Sequence, residues 1–285
     1  MNTQIRGIEA GGTKMVCAII DDDCNVLERI NIPTTTPDET IPKMVDFFRE
    51  KNIVSLGIAC FGPVDLNEQS DTYGYITRTP KEGWSYCDFV GPFKELGVPI
   101  GFDTDVNGAV YGEALAGAAK GCDTAIYITI GTGIGVGVYM GGKLAHGLMH
   151  PEAGHILLNR HPDDHYEGCC AFHKNCFEGL ASGPSIMKRW GKPAYELYDQ
   201  DKVWDIESYY IAQAITDYIL CYSPEKIILW GGVMHKEGLL NNIREKVLEN
   251  LGCYVLIGDE YIVTPGLGEN TGVIGAGLLG KNRYK

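Results

Sequence analysis

Ile5-Arg6-Gly7-Ile8-Glu9, then Ala10-Gly11-Gly12-Thr13-Lys14, then Met15-Val16-Cys17-Ala18-Ile19-Ile20: the reading of this run decides the fold. A short strand, a glycine-rich break and a second apolar strand make a hairpin. Asp21 to Asn25 supplies a turn and Val26 to Ile32 a third strand. Asp38 to Lys51 then carries Ile41, Met44, Val45 and Phe48 at helical spacing. Ile53 to Ala59 is a further strand, ending in Phe61-Gly62-Pro63. The pattern recurs from Ala125, with strands Ile126 to Ile130 and Ile134 to Tyr139 on either side of Gly131-Thr132-Gly133. One α/β architecture is therefore expected twice in the chain.

Between the repeats, Val98 to Phe102 reads as a strand ending at Asp103-Thr104-Asp105, before a small-residue helix from Val106 to Ala119. The C-terminal third is mostly helical: Ser208 to Tyr222, Leu239 to Leu251 and Gly272 to Gly280, with a strand at Lys226 to Trp230 and a Gly231-Gly232 turn. No proline-rich linker separates the halves. The expected division is a smaller lobe over residues 1–112, with the terminal helix 272–285 packing on it, and a larger lobe over 113–271. The hinge is expected at Gly112 to Gly121 together with that helix.

A chain of 285 residues that is 45% hydrophobic can bury a deep core. Its net charge of -13 argues against nucleic acid, whose phosphates demand clustered Lys and Arg. No apolar window reaches the ~18 residues needed to span a bilayer, and the N-terminus has no signal-like run, so a cytoplasmic protein is expected. Ten cysteines are present. Cys17, Cys60, Cys122 and Cys221 sit within apolar segments and read as buried, reduced thiols.

The 37 glycines gather in short clusters with threonine. Gly11, Gly12, Thr13 and Lys14 present unshielded amides, a hydroxyl and a cation, which suits an oligophosphate, although an ordinary glycine hairpin fits the same spacing. The string lacks Walker spacing and joins two strands instead of opening a helix. Thr132 and Gly133 occupy a second tip of the same kind. Two such tips in two similar halves are explained most simply by a nucleotide held between lobes.

Asp103 and Asp105 end a strand ahead of a helix, where a carboxylate can act as a base toward an alcohol or serve as a helix cap; the spacing supports both equally. His155, Cys170, His173 and Cys176 can fill a closed tetrahedral shell, which marks structural zinc. Cys169 is a rival ligand, while His146, His150, His161 and His165 read as surface or hydrogen-bonding groups. Glu152 and Glu178 flank the clip, either fixed toward sugar hydroxyls or simply solvated.

These residues resemble the ROK family of sugar kinases and sugar-responsive repressors, and within it the bacterial fructokinases. The resemblance spans nearly the whole chain. It is carried by Glu9-Ala10-Gly11-Gly12-Thr13-Lys14, Phe61-Gly62-Pro63, Asp103-Thr104-Asp105-Val106-Asn107, Ile130-Gly131-Thr132-Gly133 and His150-Pro151-Glu152-Ala153-Gly154-His155. Cys176-Phe177-Glu178-Gly179-Leu180-Ala181-Ser182-Gly183 and Gly231-Gly232-Val233 continue it.

The resemblance implies an actin-like (ribonuclease H-like) two-lobed ATPase fold, with a duplicated βββαβα unit and a central mixed sheet in each lobe. It implies ATP and Mg2+ in the cleft, structural Zn2+ on the four clip residues, and Asp105 as the base for the sugar hydroxyl. Gly11, Gly12, Thr13, Lys14, Thr132, Gly133, Gly231 and Gly232 would bind nucleotide phosphate. Gly62, Pro63, Thr104, Asp105, Glu152 and Glu178 would bind sugar, and Glu9 would order the magnesium.

Thr79-Pro80-Lys81-Glu82-Gly83-Trp84 and the Cys-x-x-His-x-x-Cys clip point to the fructokinase branch. Glu9 stands where the broad family has Asp, and Thr104 where it usually has Asn. Fructose is the expected substrate, with mannose or glucose as alternatives within the same family. A sugar-sensing repressor would require a DNA-binding segment ahead of a first strand that already begins by Ile5. A homodimer is the family's usual state, and the helix from Trp204 to Tyr222 reads as a dimer surface or as core.

Overall fold

The structure, a computed structural model, describes residues 5–49 and 51–284. The expected segments that take in residues 1–4, 50 or 285 extend beyond the described residues at those positions.

The chain opens with β1 (Ile5–Ala10), β2 (Lys14–Ile20) and β3 (Val26–Pro33), followed by α1 (Pro37–Arg49) and β4 (Leu56–Cys60). A small hairpin of β5 (Tyr75–Ile76) and β6 (Cys87–Asp88) precedes β7 (Ile100–Thr104) and α2 (Asp105–Ala116). The second set begins with β8 (Thr124–Ile130), β9 (Ile134–Met140) and β10 (Lys143–Leu144). Then come α3 (Phe177–Ala181), α4 (Gly183–Trp190), α5 (Asp201–Tyr222), β11 (Lys226–Trp230), α6 (Leu239–Leu251), β12 (Ile262–Val263) and α7 (Thr271–Tyr284).

Two mixed sheets result, in the orders β3-β2-β1-β4-β7 and β10-β9-β8-β11-β12. In each, an antiparallel hairpin adds two parallel strands on its first member: β1 pairs with β2 antiparallel and β4 parallel, and β8 pairs with β9 antiparallel and β11 parallel. The duplication read in the glycine hairpins is thus present strand for strand.

Two compact units divide the chain. The first runs to Gly121 and takes in Lys143–Pro151 and the segment from Gly266; the second comprises Cys122–Gly142 and Glu152–Pro265. The boundary expected at 112/113 would cut α2, which runs unbroken to Ala116.

In the first unit the core on one side of the sheet gathers Ile8, Met15, Met44, Phe48, Ile58, Trp84, Phe89 and Phe93. On the other side α7 lies directly against the strands. Gly7, Gly57 and Gly101 are register partners across β1, β4 and β7. A Cβ on them would stand 2.2 Å from the Val273 carbonyl oxygen, 1.6 Å from that of Ala276 and 2.4 Å from that of Leu279, respectively. This row of absent side chains is a trough, and α7 fills it. The same helix crosses α2 closely, since a Cβ on Gly275 would meet the Gly108 carbonyl oxygen at 1.8 Å.

Glu113, on α2, is fully buried yet saturated with donors. It accepts from Ala118 N and Gly266 N through Oε2, and from Leu267 N and the Thr271 hydroxyl through Oε1, at 2.6 to 3.1 Å. A buried carboxylate is tolerable only when so satisfied. This one ties down both stretches where the chain enters and leaves the first unit.

In the second unit α5 packs on α6. Trp204, Tyr210, Ile211, Ile215 and Ile219 are buried, so α5 is a core helix and not a free apolar face. Cys17 and Cys60 are buried as expected, but Cys221 is exposed, because the last turn of α5 directs it outward. All ten cysteines are free. Among the described residues no helix is long and apolar enough to cross a membrane.

Candidate active site

The first unit presents two features at strand ends. The β1–β2 hairpin closes through Gly11 N to the Lys14 carbonyl, 3.0 Å, and leaves Gly12, Thr13 and Lys14 exposed at its tip. β3 braces it: Thr34 N donates to the Thr13 carbonyl at 3.0 Å and the Thr34 hydroxyl to the Gly11 carbonyl at 2.8 Å. Glu9 ends the first strand, its carboxylate packed against the first turn of α7, where a Cβ on Gly272 would lie 2.4 Å from its Cδ. Burial raises the Glu9 carboxyl, while Lys14 and Arg29 pull the other way.

The second feature is the β7–α2 junction. Thr104, not an aspartate, caps α2, its hydroxyl accepting from Asn107 N at 3.1 Å. Asp103 is buried behind the cap. Its Oδ1 accepts from Thr104 N at 2.8 Å and Asn107 Nδ2 at 2.7 Å, and its Oδ2 meets His146 Nε2 at 2.8 Å. Asp105, half-buried, opens the helix and accepts from Val106 N at 2.8 Å. The two aspartates that spacing could not separate therefore hold different posts: Asp103 belongs to the support, and Asp105 stands at the positive end of the helix, which favours its anion.

Gly62 and Pro63 are joined by a cis peptide. His150 backs them, its Nε2 accepting from Val64 N at 3.3 Å, and burial holds this imidazole below its ordinary value, that is, neutral.

In the second unit the Gly131-Thr132-Gly133 tip closes through Gly131 N to the Gly133 carbonyl at 2.9 Å. Glu178 Oε2 accepts from Ile134 N at 3.0 Å and would stand 2.7 Å from a Cβ on Gly133, so that glycine is required by the carboxylate beside it. Gly231, at φ +107° and with no room for a Cβ against the Ile130 carbonyl, turns the chain beneath the same hairpin. Thr132, Gly133, Glu178 and Gly231 thus come together, as Glu152 does with His155, whose Nε2 is 4.0 Å from Glu152 Oε2. Burial, then the charge on Glu178, pushes the Glu152 carboxyl up to about 7.

The clip closes tightly. The ligand atoms of His155, Cys170, His173 and Cys176 all lie within 4.8 Å of one another. His155 Nδ1 is 3.4 Å from Cys176 Sγ and 3.7 Å from Cys170 Sγ, which is 3.8 Å from His173 Nδ1. A tetrahedral zinc with Zn–S of about 2.3 Å and Zn–N of about 2.0–2.1 Å sets S and N about 3.6 Å apart. The donor set and its spacing fit that ion. Lys174 at φ +55° makes the turn, and its carbonyl occupies the space a Cβ on Gly179 would take, at 1.7 Å. Cys169 points elsewhere, to the Ser185 hydroxyl at 3.1 Å.

Residues 5–283 match the ROK family. The chain belongs to it. A fructokinase of Streptococcus mutans is 46% identical over 92% of this chain and 92% of its own. A fructokinase of Zymomonas mobilis is 46% identical over 95% of this chain and 94% of its own. A ROK hexokinase from Thermus thermophilus superposes with a TM-score of 0.80 over 98% of both chains at 23% identity, a likeness of fold. The actin-like fold is therefore that of this ROK chain.

The sequence marks His146 only as a surface or hydrogen-bonding group, and it does not mark Glu113. Neither belongs to a motif with chemical spacing, and their partners lie 43 and up to 158 residues away in the chain. Only the folded sheet brings those partners within reach.

Proposed function

We propose that the chain is an ATP-dependent fructokinase, converting D-fructose to fructose 6-phosphate. The observation that carries this reading is 46% identity to fructokinases along more than nine-tenths of the chain. The geometry supports it with a carboxylate poised at a helix start and with two glycine-threonine tips.

Asp105 takes the proton from the primary hydroxyl as that oxygen bonds to the γ-phosphorus. The bond from phosphorus to the β,γ-bridging oxygen breaks, and ADP leaves. Gly11, Gly12, Thr13 and Lys14, with Thr132, Gly133, Gly231 and Gly232, offer amides, hydroxyls and a cation to the phosphates. Thr104, Gly62, Pro63, Glu152 and Glu178 orient the sugar; Glu178 keeps Oε1 for it while Oε2 holds Ile134 N.

Magnesium, an oxygen-seeking ion that suits a carboxylate such as Glu9, neutralises phosphate charge when bound. His155, Cys170, His173 and Cys176 would hold a structural zinc, since four protein donors leave no position for substrate. His155 would bind through Nδ1 with Nε2 turned toward Glu152, so the clip and the sugar carboxylate share one residue.

A coupled ADP-release assay across fructose, mannose, glucose and N-acetylmannosamine tests the substrate. Fructose should give the highest kcat/KM; preference for mannose or glucose would reassign the enzyme within the family, and no ADP with any sugar would overturn the kinase reading. The homodimer usual in the family and the cytoplasmic residence expected from the sequence form part of this proposal, and light scattering tests the first.

A further inference from the structure

Asp105 is the first residue of α2, so its direction depends on how firmly the helix start is held. Three hydrogen bonds hold it: Asn107 N to the Thr104 hydroxyl, and Thr104 N and Asn107 Nδ2 to Asp103 Oδ1. Asp103 is 4% exposed, and a buried carboxylate keeps one orientation only while both oxygens are engaged. Among the described residues its second oxygen is held by His146 Nε2 at 2.8 Å, with Asn107 Nδ2 also 3.4 Å from that nitrogen.

His146 arrives on residues 143–151, a length of chain that packs with the first unit, and His150 fastens the far end of the same length to Val64 N. The imidazole is itself partly exposed, so burying apolar surface does not explain it. It closes a chain of hydrogen bonds that ends at the residue bearing the base.

We propose that His146 is a positioning residue for Asp105, acting through Asp103; this rests on the reading of Asp105 as the general base. His146 donates Nε2–H to Asp103 and thereby fixes the carboxylate that orders Thr104 and Asn107. Loss of that donor lets Asp103 rotate, frays the first turn of α2 and misplaces the base. A displacement of about 1 Å at a reacting group costs roughly 10²-fold in rate.

The test compares His146→Leu and His146→Gln with wild type, using fructose and ATP. In His146→Leu, kcat should fall roughly 10- to 100-fold with the KM for ATP held near wild type. His146→Gln, whose amide can donate to Asp103, should recover most of kcat. A rise confined to the KM for fructose, with kcat intact, would make His146 a sugar ligand and overturn the proposal. Equal kcat in all three proteins would do the same.

Amide hydrogen exchange at Thr104, Val106 and Asn107 supplies a readout independent of activity. Exchange should quicken in His146→Leu and not in His146→Gln. Unchanged exchange sinks the proposal even if the protein phosphorylates another sugar, whereas a wild type inactive on every hexose sinks the functional reading alone.

Discussion

Gly57→Ala isolates the packing on which the first unit depends. The new methyl would lie 1.6 Å from the Ala276 carbonyl oxygen and 2.7 Å from Gly280 N, against an ordinary contact distance of 3.4 Å and beyond. α7 must therefore retreat by about 1.8 Å, the difference between 3.4 and 1.6 Å. Both obstacles are helix backbone, so no side-chain rotation can relieve the clash. Overpacking of a rigid core costs about 1–3 kcal/mol, and this case belongs at the upper end because Gly7 and Gly101 pin the helix on either side.

For a chain of this length a loss of about 3 kcal/mol lowers the midpoint by about 5 °C. Scanning fluorimetry measures the shift, and exchange mass spectrometry on peptides spanning 5–20, 56–60 and 271–284 assigns it to the first unit. Gly12→Ala is the control: a Cβ there meets nothing within 4 Å, so stability should hold while the KM for ATP rises. A Gly57→Ala protein melting within about 1 °C of wild type would refute the close seating of α7 on the glycine row.

Asp105→Asn should keep fructose binding and lose roughly 10²–10⁴-fold in turnover, as befits a missing base; calorimetry with single-turnover kinetics checks it, and unchanged turnover removes Asp105 from the role. Cys176→Ser, or chelation of the wild type, should release the metal found by elemental analysis, loosen residues 152–178 in hydrogen exchange and leave nucleotide affinity nearly intact; full activity in metal-free protein would contradict the clip. The hydrogen bond to Asp103 raises His146, whose surroundings also include the neutral His150. A raised folded value gives stability that is complete below the unfolded value of ~6.5 and lost as pH rises through the folded one. Denaturation from pH 5.5 to 9 should therefore show a decline in wild type that His146→Gln lacks, and parallel curves would exclude it.

The repeated strand-glycine-strand pattern, the clip and the strand-end aspartates were readable from local order, because hairpins, turn residues and short-range metal spacing are encoded within a few residues of one another. A terminal helix was expected against the first lobe, but not the glycine trough that seats it. That Gly7, Gly57 and Gly101 form one trough depends on strands 50 and 44 residues apart lying side by side in register.

What the sequence by itself determined is the family, the duplicated architecture and the roster of chemical groups. Only the tertiary structure decided their posts: Thr104 as cap, Asp103 as buried support, Asp105 at the helix start, and Cys169 turned away from the cluster of His155, Cys170, His173 and Cys176. It also brought His146 to Asp103 and Glu113 to both chain crossings. The physical reason is that a buried carboxylate's role is set by the donors around it, and those donors come from chain segments that meet only on folding.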